Sequence, residues 1–206
     1  MSSIYGSASG ANIMFGENNT GVAFGGGGVT PASYENVEWN TAYGDSPNNW
    51  TNSPPSTYRT GTNNTDWGGI NYSSTQRPVP SGSLNQLKCS FSTAASRWAA
   101  IGLVPSLASS GSPDTWDGYT IYFLPAASGI RVYPPVGDFT AITDSYTSST
   151  EFILRISSDK AEVWRDDTTG TPIYSDTRSL SGDWYVTAGA TTTETIGTIT
   201  GYLASV

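Results

Sequence analysis

From Gln86 to Ser92 the chain alternates polar and apolar residues at every step, which in a strand puts Leu87, Cys89 and Phe91 on one face. The wider set Leu84, Leu87, Phe91, Ala94, Trp98 and Ile101 recurs at near-helical intervals, but the strict alternation decides for a strand. Further β-branched and aromatic segments follow between Gly, Pro, Asp and Ser clusters, at the roughly 8–12-residue spacing of a sandwich or barrel. They are Trp98–Val104, Tyr119–Leu124 after Asp117-Gly118, Ile130–Tyr133, Glu151–Ile156, Ala161–Arg165, Ile173-Tyr174, Trp184–Ala188 and Thr195–Leu203. The turn Ser157-Ser158-Asp159 makes a hairpin of Glu151–Ile156 and Ala161–Arg165, with Phe152, Leu154 and Ile156 on one side and Ile153 and Arg155 on the other. The pattern predicts an all-β protein of two packed antiparallel sheets. Its expected core is Leu87, Cys89, Phe91, Ile101, Ile121, Phe123, Val132, Leu154, Ile156 and Val163.

Residues 1–33 read differently. A Gly25–Gly28 run and many Asn and Ser residues leave only Ile4, Tyr5, Ile13, Met14, Phe15, Val22 and Phe24 as large apolar anchors. Burying so few side chains does not offset the ordering entropy of the segment. We therefore expect an extended N-terminal arm at 1–33, able to add short strands to a partner's sheet edge, followed by a sandwich at 34–206.

Composition narrows the chemistry. Nine Lys+Arg against 17 Asp+Glu give a net charge of −8, and without a basic block we expect no nucleic-acid partner. With no His and the single Cys89, Ser-His-Asp and Cys-His nucleophiles, His/Cys zinc sites and an internal disulfide are excluded. The longest apolar run, Trp98–Val104, is far short of the roughly 20 residues of a spanning helix, so no membrane insertion is expected. No basic and apolar signal pattern opens the chain, so we expect no cleaved secretory leader. No cofactor is expected either.

Trp67-Gly68-Gly69-Ile70 with Ser73-Ser74-Thr75-Gln76, Arg97–Leu103 with its Ile-Gly-Leu ending, Asp117–Phe123, Gly129–Tyr133, the pair Phe152–Ile156 and Ala161–Arg165, Pro172–Ser175 and Thr195–Ile199 follow one another in order along the chain. In that order they resemble the concanavalin A-like lectin/glucanase sandwich in the form found in bacteriophage structural proteins and bacterial surface proteins. Asp166-Asp167 stands where that family usually has a Lys-Asn-Gly turn. The resemblance runs from about residue 45 to the end. It implies a jelly roll that binds carbohydrate or serves on a virion surface.

The same resemblance raises a jelly-roll glycoside hydrolase, which needs two carboxylates roughly 5–5.5 Å apart. Glu35, Glu38, Glu151, Glu162 and Glu194 lie near strands but in no matching motif. Glu151 and Glu162 could face each other across the hairpin, where a solvated pair is the plainer reading, so we expect no enzyme. Asp114, Asp117 and the turn Asp166-Asp167 are weak candidate calcium ligands, more simply read as turn formers. Trp50, Tyr58, Trp67, Tyr72 and Trp116 lie beside Asn, Ser, Thr and Gly, and rings so placed can stack on sugars. They form the candidate carbohydrate site, with Trp50, Trp67 and Trp116 expected to be partly exposed at one end of the sandwich. The reading favoured here is a phage head-decoration or tail-fibre module on the virion surface, made in the host cytoplasm. It would be held by its arm to capsid or tail proteins, be homo-oligomeric (a trimer by analogy) and have host glycan as a further partner. The alternative is a stand-alone carbohydrate-binding module.

Overall fold

A computed structural model describes residues 34–40, 50–59, 70–79, 85–92, 98–105, 113–180, 182–190 and 199–205. The expected arm, with Ile4, Tyr5, Ile13, Met14, Phe15, Val22 and Phe24, lies outside the described residues. Fifteen strands are described: β1 (Glu35–Asn36), β2 (Trp39–Asn40), β3 (Trp50–Ser53), β4 (Ser56–Arg59), β5 (Ile70–Val79), β6 (Asn85–Phe91), β7 (Ala99–Val104), β8 (Tyr119–Phe123), β9 (Ile130–Tyr133), β10 (Thr140–Ile142), β11 (Phe152–Ile156), β12 (Lys160–Arg165), β13 (Tyr174–Thr177), β14 (Gly182–Ala190) and β15 (Ile199–Ser205). Single 3-10 turns at Pro113–Thr115 and Pro125–Ala127 are the only helix among the described residues.

All pairings are antiparallel. An eight-stranded sheet runs β13-β12-β11-β6-β15-β4-β3, with β1 also on β15, and a seven-stranded sheet runs β10-β9-β8-β7-β14-β5-β2. The fold is a two-sheet antiparallel sandwich, as the periodicity predicts, of the jelly-roll kind that the resemblance implies. In the eight-stranded sheet Leu154 stands in register with Leu87 on one side and Val163 on the other. This places one apolar row of β6, β11 and β12 on the inner face. The facing row comes from Ile101, Leu103, Ile121, Phe123, Ile130, Val132, Trp184 and Val186. All ten expected core residues are buried. Phe91, Phe123, Tyr146 and Phe152 pack ring to ring at centroid distances of 5.3–6.1 Å, and the Tyr146 hydroxyl donates to the Leu124 carbonyl.

The outer faces differ from simple alternation. On the seven-stranded sheet, Trp116 packs with Ala100, Val104 and Tyr122 into a second buried cluster. On the eight-stranded sheet, Gln86, Ile153, Arg155 and Trp164 are buried although they point away from the core. Strand β5 escaped the sequence reading because Ile-Asn-Tyr-Ser-Ser-Thr-Gln-Arg-Pro-Val has little apolar alternation. Pairing with β14 and β2 supplies what local propensity does not.

Candidate functional site

A cleft of about 240 Å³ opens on the outer face of the eight-stranded sheet, lined by Tyr34, Gln86, Lys88, Glu151, Ile153 and the loop residues Asp166, Asp167, Thr168 and Thr169. Its floor follows from strand parity. The side chains of Gln86 and Lys88 alternate with the core residues Leu87 and Cys89, and Ile153 alternates with Phe152 and Leu154, so all three point outward. Register sets Ile153 beside Lys88 and Arg155 beside Gln86.

Tyr34 forms one wall. Its hydroxyl donates to Gln86 Oε1 at 3.0 Å, and Lys88 Nζ lies 4.9 Å from its ring centroid while pairing with Glu151 at 3.1 Å. Burial, then the nearby Glu151 carboxylate, raise the Tyr34 pKa, so this hydroxyl stays a neutral donor. The opposite wall is built by Asp166, which takes positive φ (63°) and turns the chain sharply after β12. Asp166 donates its N–H to the Glu151 carbonyl at 2.7 Å and accepts the Glu151 N–H on Oδ1 at 3.1 Å. Asp167 Oδ1 then accepts from both the hydroxyl and the N–H of Thr169, at 2.7 and 2.9 Å. These two bonds favour the charged form and hold the Asp167 carboxyl below its usual range. The result is a pre-shaped trough with one aromatic ring, one aliphatic side chain, an amide, an ammonium, three carboxylates and two hydroxyl side chains. Such a set can cover an apolar ring face and meet several hydroxyl groups.

The candidate residues read from sequence fall elsewhere. Trp50 and Trp116 are only 7% and 3% exposed, which corrects the expectation that they stand partly free. Trp116 is covered because it closes the outer face of β7 and β8 against Ala100, Val104 and Tyr122, and Trp50 joins the main core at the edge of its sheet. Tyr58 lies in β4, on the strand paired with that of Trp50, and Tyr72 lies in β5 of the other sheet. Trp67 lies outside the described residues. Asp114 and Asp117 are exposed beside the 3-10 turn Pro113–Thr115, and no cluster of three or more metal-ligating side chains occurs among the described residues. Glu151 and Glu162 do not face each other, which corrects that expectation as well. Glu162 stands opposite Arg155 and pairs with Lys160 at 2.5 Å, while Glu151 holds Lys88 and the Asp166 turn. Glu35 lies in β1, Glu38 between β1 and β2, and Glu194 outside the described residues.

A second aromatic surface comes from Tyr122 in β8 and Tyr133 in β9 with Trp98 just before β7 and Phe139 just before β10. Trp98, Tyr122, Tyr133 and Phe139 stack in series on the outer side of the seven-stranded sheet, with the Arg131 guanidinium 5.4 Å from Trp98 and 4.4 Å from Phe139. Phe139 and Val136 are the exposed large apolar residues of the described chain. Only the outward parity of Arg131 and Tyr133 in β9 could have announced this surface.

No family model and no curated protein matches this sequence. Among solved structures the chain is similar to the carbohydrate recognition domain of Emp47p, with TM-score 0.55 and 10% identity over 86% of this chain and 98% of that one. It is similar to the PSpry domain of TRIM65 at TM-score 0.53 and 9% identity, over 81% and 92%. It also resembles an endo-β-1,3-glucanase from Pyrococcus furiosus at TM-score 0.51 and 13% identity, over 77% of each chain. None of the three is described as a virion protein, so the expected phage setting draws no support from them. What these likenesses establish is the fold: the concanavalin A-like sandwich that the sequence resembles.

Proposed function

We propose that this protein is a carbohydrate-binding module of lectin type, and that the sugar sits in the cleft between Tyr34 and the Asp166–Thr169 loop. The observation that carries the reading is the mixed lining of that cleft. The Tyr34 ring and Ile153 offer apolar surface, while Gln86, Lys88, Glu151, Asp167 and Thr169 surround it with donors and acceptors. Sharing a sandwich with a carbohydrate recognition domain supports the reading without deciding it, because one fold hosts unrelated functions. Binding is favoured over glycoside cleavage by the ion pairs. Glu151 is held by Lys88 and Glu162 by Lys160, so the two do not come together as the pair of carboxyl groups that a glycosidase sets on one bond.

The test is calorimetric titration of the full chain with a panel of oligosaccharides, repeated on Tyr34→Ala. We expect a saturable ligand whose affinity falls about tenfold in the variant, or ~1.4 kcal/mol, with the melting temperature little changed. A panel without any ligand, or a ligand whose affinity ignores Tyr34, would contradict the assignment.

A further inference from the structure

Arg155 and Trp164 sit on the outer face of the eight-stranded sheet, 94% and 93% buried as their 6% and 7% exposures give. The Arg155 guanidinium lies 5.6 Å from the Trp164 ring centroid. Arg155 Nε and Trp164 Nε1 are both enclosed and have no hydrogen-bond partner among the described residues. A buried donor without an acceptor is costly and a buried cation more so; among the described residues the indole N–H groups of Trp50, Trp116 and Trp184 are unpaired too, so it is the buried guanidinium beside Trp164 on one sheet face that sets this place apart. The adjacent carboxylates are taken: Glu162, opposite Arg155, is bound to Lys160, and Glu151 is bound to Lys88. Arg131 also has no carboxylate partner among the described residues, but it is only partly buried between two rings, where solvent serves its guanidinium. Arg155 is far more deeply buried, with its Nε enclosed.

The pair adjoins the cleft. Arg155 stands directly across from Gln86 and two residues along β11 from Ile153, and Ile153 is in register with Trp164. Gln86 and Ile153 both line the cleft floor. We propose that Arg155 and Trp164 form an anion-accepting subsite at the inner end of the cleft, so that the saccharide it takes carries a carboxylate, as a uronic acid does. This rests on the carbohydrate reading and specifies its ligand. The guanidinium donates to the carboxylate with charge assistance, and the indole N–H supplies a second, neutral donor. Because the protein carries a net charge of −8, distant repulsion opposes an anionic ligand, so short-range contact with a buried cation must supply the preference.

The full chain is titrated with a hexuronic-acid oligosaccharide, with the same oligosaccharide reduced to neutral alcohols, and with acetate. The Arg155 Nε–H and Trp164 indole N–H resonances are followed by NMR. We expect the acidic saccharide to bind at least tenfold tighter than its neutral counterpart and to shift both resonances. Arg155→Gln should abolish the preference while leaving the neutral affinity within about twofold. Arg155→Lys, which keeps the charge and loses the fork, should fall between. Equal binding of acidic and neutral saccharides, or a preference that survives in Arg155→Gln, overturns the subsite and leaves the carbohydrate reading standing. Acetate shifting both resonances while no saccharide binds does the reverse. Should Arg155→Gln not fold, the acid-to-neutral ratio of the unmodified chain and of Arg155→Lys decides the same question.

Discussion

Leu154 is fully enclosed, with Leu87 and Val163 as its cross-strand neighbours. Leu154→Ala should therefore cost about 2–5 kcal/mol, the transfer term plus the cavity left behind, read as a drop in the urea midpoint at unchanged slope. A change within error would mean that β11 presents its other face to the core. Core tyrosines add a pH response. Burial pushes Tyr146 and Tyr174 up to about 12. Tyr119 is raised further by burial and by the hydroxyl it donates to Asp176 Oδ2 at 2.7 Å. A folded-state pKa above the unfolded value of 10 means that the native state keeps its proton longer. Their stabilisation is complete below about pH 10 and is lost as pH rises toward 12, so unfolding in alkali should track tyrosinate absorbance. Ionisation of all the tyrosines near pH 10 with the fold intact would contradict this.

At the scale of elements, β6 was legible because each residue from Gln86 to Ser92 changes character, and β11 and β12 because their apolar sets repeat with period two. Strands β1 to β4 are two to four residues long, too short for any period to show, and β5 is polar. The cleft was illegible for a different reason. Its residues come from four separated stretches (Tyr34, Gln86 with Lys88, Glu151 with Ile153, and Asp166 to Thr169) that come together only through the pairing of β11 with both β6 and β12 and of β15 with both β1 and β6. The tryptophans misled because a ring beside polar neighbours in sequence can still be covered, as Trp50 is in the main core and Trp116 on the outer face of its sheet. One close approach between strands is testable. A Cβ at Gly102 of β7 would run into the Tyr119 carbonyl oxygen and Thr120 Cα of β8, backbone atoms that yield only if the strands separate. Gly102→Ala should destabilise by at least about 1–3 kcal/mol, as overpacking does, and an unchanged urea midpoint would refute that spacing.

For the molecule as a whole, the sandwich leaves sheet edges to protect. Edge strand β13 is only four residues long and carries Asp176 on its inward side, in register with Ala161 and ion-paired to Arg178; a short edge with an inward charge resists pairing with another chain. The two outer faces then offer two different surfaces, a polar cleft on one sheet and the Trp98–Tyr122–Tyr133–Phe139 series on the other. We propose the cleft as the ligand site. The most direct measurement is the map of backbone amide shifts over the assigned protein on saturation with the tightest saccharide found. The largest shifts should fall on Tyr34, Gln86, Lys88, Ile153 and Asp166 to Thr169, while Trp50 and Trp116 hardly move. Shifts concentrated instead on Trp98, Arg131, Tyr133 and Phe139 would place the ligand on the opposite sheet and contradict it.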